Sequence, residues 1–159
     1  MLRHSAKTGL NFGLTSGVIT TLGLMVGLES GTQSKLVVLG GILTIAVADA
    51  FSDALGIHMS EESENKHSAR EVWESTVFTF LAKFIFAAIF VVPVLTLDLS
   101  LAVIVSIILG LALITLASWY MARQQGSSPW KIIAEHLSIT IVVIVATHYV
   151  GHFVAVVCG

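Results

Sequence analysis

The stretch Leu36-Val-Val-Leu-Gly-Gly-Ile-Leu-Thr-Ile-Ala-Val-Ala-Asp49-Ala-Phe-Ser-Asp53-Ala-Leu-Gly-Ile-His-Met59 decides the fold. A bilayer core of about 30 Å is crossed by about 20 helical residues, so this run is long enough to span. It is apolar on every side except where two aspartates, four residues apart, fall on one helical face. Four further runs of similar length flank it: residues 8–28, 75–97, 99–122 and 130–157. Apolar residues make up 55% of the 159-residue chain and charged residues only 11%. Soluble domains carry about 25% charged residues, which excludes a water-soluble enzyme and a disordered chain. No basic stripe is present to track phosphates, so no nucleic-acid partner is expected. The partner is the lipid bilayer.

The sequence therefore predicts an all-α membrane protein of five transmembrane helices, one domain over residues 1–159. Strands are excluded because the runs do not alternate apolar and polar residues as barrel strands do. The opening run lacks an Ala-x-Ala cleavage pattern and is read as a retained first span. One cysteine, Cys158, excludes an internal disulfide and a multi-Cys metal site. Arg3, Lys7, Lys66, Arg70, Arg123 and Lys131 fall on one side of the predicted topology, and Lys35 alone on the other. Positive charge marks the cytoplasmic side, so the N-terminus is expected inside and the C-terminus outside. Residues 60–74 contain neither Gly nor Pro and are expected to extend the second and third spans as short cytoplasmic helical arms.

Of the eighteen Lys, Arg, Asp and Glu residues, only Asp49, Asp53 and Lys83 fall deep in the membrane. Intramembrane charges are costly and mark ion or proton paths. Carboxylate oxygens suit cations such as Mn²⁺. At about 1.5 Å per residue, Asp49 falls near the midplane and Asp53 a turn closer to the cytoplasm. Lys83 falls at a depth close to Asp53. Two readings stay open: a cation path through the aspartates, or an Asp53–Lys83 ion pair that leaves Asp49 without a basic partner.

Other candidates are weaker. On a continuous helix Glu64, His67, Glu71 and Glu74 share one face, which would gather a divalent cation at the cytoplasmic mouth. The alternative is a solvated face of i,i+4 ion pairs. His148 and His152, also i,i+4, would line the exit or serve as hydrogen-bonding groups. The first span carries Gly9, Gly13 and Gly17, then Gly23, Gly27 and Gly31, a spacing that permits close helix approach. That helix can form a dimer seam, a pathway wall or an internal packing face. Asn11, Thr15, Ser16, Thr20 and Thr21 add an amide and hydroxyls to it, and Asn11, Thr15 and Ser16 are candidate pathway groups, as is Lys83 of the third span. No nucleophile elbow, zinc-protease motif, phosphate loop or His-box series occurs, so no enzyme is expected.

Leu14-Thr-Ser-Gly-Val-Ile-Thr-Thr-Leu-Gly-Leu-Met-Val-Gly-Leu28 resembles the opening helix of vacuolar iron transporter-like proteins. Ala48-Asp-Ala-Phe-Ser-Asp-Ala-Leu-Gly-Ile-His-Met-Ser60 is similar to that family's second helix. The third span through Pro93, Gly126-Ser-Ser-Pro-Trp130 and Thr147-His-Tyr-Val-Gly151 follow in the same order. The resemblance implies a five-helix homodimer in the inner cell membrane, exporting Fe²⁺ or Mn²⁺ from the cytosol in exchange for protons. It implies a path between subunits lined by the first two helices, and no tightly bound cofactor. The chain departs from the family in four respects. Ser16 stands where members commonly have Asp, Asp53 where they have Met, and Ile57 where they often have Glu. The large cytoplasmic metal-binding domain is reduced to residues 60–74, as in a short, divergent prokaryotic-type member. The alternative is a non-transporting membrane assembly or regulatory protein with a structural Asp53–Lys83 lock.

Overall fold

The computed structural model describes residues 4–158. They form six α-helices: α1 (His4–Thr32), α2 (Lys35–Ser63), α3 (Ala69–Ala88), α4 (Val91–Thr96), α5 (Leu99–Gln125) and α6 (Pro129–Cys158). Among the described residues there is no strand, and five segments are long and apolar enough to cross a membrane. The third of these is α3 and α4 together. The five-span expectation holds, with helices running a few residues past the apolar runs at most ends.

The third span is broken, which its apolar run did not suggest. Pro93 has no N–H to offer the Ile89 carbonyl, and its ring crowds that carbonyl. The Ile89 carbonyl accepts from Val92 N at 3.3 Å instead, and the helix restarts at Val91. Other ends follow local chemistry. Ser34 caps α2 through Val37 N. Ser68 and Glu71 form a reciprocal capping box at the start of α3. Gly126, at φ 65°, closes α5 in the left-handed conformation that suits glycine, and Pro129 opens α6.

α1 is the central helix, packed against α2, α3, α5 and α6. Its two glycine triples are both consumed inside the chain. Gly9, Gly13 and Gly17 lie on the backbone of α3 at Ser75, Thr79 and Lys83. Gly23, Gly27 and Gly31 face Thr147 and Gly151 of α6. The glycine-rich helix is therefore an internal packing spine. The apolar core, with Leu22, Met25, Ile42, Phe90 and Ile114, fills the half of the bundle nearer the α1–α2 turn.

Past the apolar runs, α2 continues to Ser63 and α3 begins at Ala69. Ser5 Oγ donates to Glu74 at 3.0 Å and Lys7 Nζ to Gln124 at 2.9 Å. The start of α1 thus meets the α2–α3 and α5–α6 turns at one end of the bundle. Lys35 lies at the other end, donating to the Leu97 carbonyl. Arg3 lies outside the described residues.

Candidate functional site

α2 faces its neighbours through carboxylates spaced one or two turns apart. Asp49, Asp53 and Glu61 share one face, and each meets a hydroxyl on α1 or α3. Thr20 Oγ1 lies 3.1 Å from Asp49 Oδ2, and Ser16 Oγ donates to Asp53 Oδ2 at 2.7 Å. Ser75 Oγ donates to Glu61, which is buried. Beside this face, His58 Nδ1 pairs with Thr76 Oγ1 at 3.0 Å.

Lys83 completes the deep part. Its side chain is 1% exposed, and Nζ lies 2.5 Å from both Asp49 Oδ2 and Asp53 Oδ2. Nζ also donates to Ser16 Oγ at 2.6 Å. An ammonium has three N–H donors. Two of them go to Asp53 and Ser16, and Asp49 is held as an ion pair. The expectation that Asp49 would lack a basic partner is thus corrected: one lysine bridges both aspartates. The reason is geometric. Carboxylates one helical turn apart converge on a single point in front of α2, and a long side chain from α3 reaches it.

The backbone below Lys83 is tightly held. A Cβ at Gly13 would stand 2.9 Å from Lys83 N, and one at Gly17 would stand 3.0 Å from Lys83 O. Glycine at both positions is what lets α3 approach closely enough for the lysine to reach Asp49 and Asp53.

Asp49 is not sealed. Its side chain is 27% exposed and lines an open groove of about 610 Å³ with Leu24 and Leu28 of α1 and Gly41, Thr44 and Ser52 of α2. Next to the groove runs a file of small exposed residues at every fourth position: Gly40, Thr44, Ala48, Ser52, Gly56 and Ser60. A Cβ on Gly40 or Gly56 would meet nothing within 4 Å. This file was present in the sequence at the spacing associated with close helix packing. The glycines of the first span and the aspartates of the second obscured it. Glu61 carries no signal of its own in the sequence, since it heads the acidic run Glu61, Glu62 and Glu64.

The remaining candidates are scattered. Glu64 and His67 do not share a helical face with Glu71 and Glu74, because a turn over residues 64–68 separates α2 from α3. Asn65, at φ 51°, makes that turn. Glu64 contacts Lys66 at 3.8 Å and His67 at 4.0 Å, Glu71 accepts from Ser68, and Glu74 accepts from Ser5. Among the described residues, no group of three or more His, Cys, Asp or Glu is arranged to hold a metal ion. Asn11 faces a crevice toward Met121 and Gln124 of α5, away from the aspartates, and Thr15 lies one turn along that same side of α1. His148 and His152 are exposed on α6, and neither lines the Asp49 groove. The His148 carbonyl accepts from Ser30 Oγ at 3.0 Å.

Residues 10–73 match the VIT family. The resemblance to vacuolar iron transporter-like proteins therefore holds over most of α1, all of α2 and the start of α3. The VIT-matching stretch carries Ser16, Thr20, Asp49, Asp53 and Glu61. Lys83 lies beyond it. VIT-family proteins are membrane transporters and not enzymes. With five spanning helices, the chain is a multi-pass membrane protein. No curated protein and no solved structure matches.

Proposed function

We propose that the protein is a carrier of divalent cations, Fe²⁺ or Mn²⁺, working as a homodimer in the inner cell membrane with its N-terminus in the cytoplasm. One observation carries this reading. Within the VIT-matching stretch, a carboxylate near mid-helix opens onto a groove beside an unpartnered face of small residues. Two copies meeting along Gly40, Thr44, Ala48, Ser52 and Gly56 would bring two Asp49 grooves together. That encloses a path in which Thr44, Asp49 and Ser52 of each copy bring oxygen ligands, the type suited to hard and borderline cations, between largely apolar walls. Asp53 and Glu61 extend the acidic side of α2 toward the cytoplasmic end. Export from the cytosol follows the family direction. Carboxylates bind cations only when deprotonated, which supplies a basis for exchange with protons.

Flux into liposomes loaded with a dye quenched by Fe²⁺ or Mn²⁺ tests the proposal. Wild type is expected to exceed empty liposomes, and Asp49→Asn to lose most of that flux. Ser52→Cys, in a Cys158→Ser background, is expected to cross-link between copies. A second reading is favoured by the pairing of buried Lys83 with both aspartates: a structural lock in a protein that transports nothing. Wild-type flux no greater than that of empty liposomes decides for it.

A further inference from the structure

Lys83 stands where a bound cation would stand. Its ammonium is surrounded by oxygen atoms at close range: Asp49 Oδ2 and Asp53 Oδ2 at 2.5 Å, and Ser16 Oγ at 2.6 Å. Thr20 Oγ1 supports Asp49 from behind. Two carboxylates and a hydroxyl on adjacent helices are the kind of oxygen ligands a divalent ion takes. Here a side chain of the same protein fills the position.

We infer that Lys83 is a tethered occupant of the cation site, and that it sets the affinity and charge selectivity of that site. Charge arithmetic gives the reason. The two carboxylates and one ammonium sum to −1. A divalent ion added to all three leaves +1 in the membrane, where uncompensated charge is costly. With the ammonium withdrawn, the same ion is neutralised by the two carboxylates. A divalent cation and the Lys83 ammonium therefore compete for Asp49 Oδ2 and Asp53 Oδ2.

The fold limits how the lysine can yield. Its backbone is pressed against Gly13 and Gly17, so α3 cannot withdraw as a unit without opening the α1–α3 seam. Departure of the ammonium must come from rotation of its own four-carbon stem. The flanking groove, onto which Asp49 opens, is where an incoming ion first meets the carboxylate. The glycines, the carboxylates and the groove lie within the VIT-matching stretch, while Lys83 lies ten residues beyond its end.

The inference rests on the carrier reading for its biological meaning, while its test is a binding measurement. Free Mn²⁺ is measured at equilibrium by its electron paramagnetic resonance signal over detergent-solubilised full-length protein. Lys83→Gln is expected to bind Mn²⁺ at least tenfold more tightly than wild type. Lys83→Arg, which restores the charge, is expected to return the affinity toward the wild-type value. Should Lys83→Gln fail to fold, Lys83→Gln/Asp53→Asn removes both halves of one pair and leaves Asp49 without an ammonium. It is then expected to bind Mn²⁺ severalfold more tightly than wild type. Equal affinity in wild type and the foldable variant overturns the inference. Tighter binding in the variant, with no flux from either protein in liposomes, ends the carrier reading and leaves the tethered occupant standing. Flux by wild type, with equal Mn²⁺ affinity in the variant, does the reverse.

Discussion

The protein has two acidic regions on α2 and its continuation, and they behave as opposites. In the membrane-spanning part, Asp49 and Asp53 are few, partly buried and bonded across to other helices. In the 60–74 stretch, carboxylates are more numerous and, except for Glu61, mostly at the surface. The first region has geometry because the cost of an unpaired charge in a low-dielectric setting forces each group onto a partner. In the second, Glu61, Glu64, Glu71 and Glu74 each meet a separate local partner and converge on no common point. Density of charge in a sequence is thus a poor guide to where a site is built. Scarcity in an apolar span is a better one.

The largest break in this contrast should come from Lys83→Ala, which strands two carboxylates. Removing one partner of a buried ion pair costs about 3–5 kcal/mol, so denaturant midpoints should fall steeply. Restoring stability with Asp49→Asn/Asp53→Asn in the same chain would show that the loss is electrostatic. Next comes the seam that holds the lysine. A Cβ at Gly13 would stand 2.5 Å from the Thr79 carbonyl, so Gly13→Val is expected to cost roughly 1–3 kcal/mol by overpacking, read from thermal unfolding. Val142→Ala, on the exposed face of α6, is the control, and its effect should stay within about 0.5 kcal/mol. In the 60–74 stretch, Ser68→Ala removes one half of the capping box and should cost about 1 kcal/mol, with exchange of the Glu71 amide accelerated. The smallest effect belongs to Glu64→Gln. Its exposed contacts with Lys66 and His67 are worth no more than about 1 kcal/mol. Flux should change less than twofold. A large flux loss there would erase the distinction between the two regions.

Much of the frame was legible in the sequence because the bilayer imposes long apolar runs. All five spans were read near their final places, and Asp49 and Asp53 stood out by their i,i+4 spacing. The depth estimate placed Lys83 beside Asp53, which was right as far as it went. It missed Asp49 because depth along a helix says nothing about how two carboxylates converge in the plane of the bundle. The turn at residues 64–68 was not legible either. Helical spacing of Glu64, His67, Glu71 and Glu74 persists through it, and neither Gly nor Pro marks it. The left-handed conformation falls to Asn65, a residue that tolerates it. The role of the glycine triples was ambiguous for a related reason: spacing announces close approach but not the neighbour. Only the fold assigns one triple to α3 and the other to α6.

Those assignments have a mechanical consequence. With one glycine file interlocked with α3 and the other with α6, α1, α3 and α6 behave as a single stator. α2 is fastened to that stator by the Lys83 ammonium at Asp49 and Asp53 and by side-chain hydroxyls, with Ser16, Thr20, Ser75 and Thr76 holding Asp53, Asp49, Glu61 and His58. Hydroxyl rotors exchange partners with little rearrangement of the chain. Any shift of α2 would therefore have to break the Lys83 ion pairs as well as exchange hydroxyl partners, while α1, α3 and α6 stay interlocked.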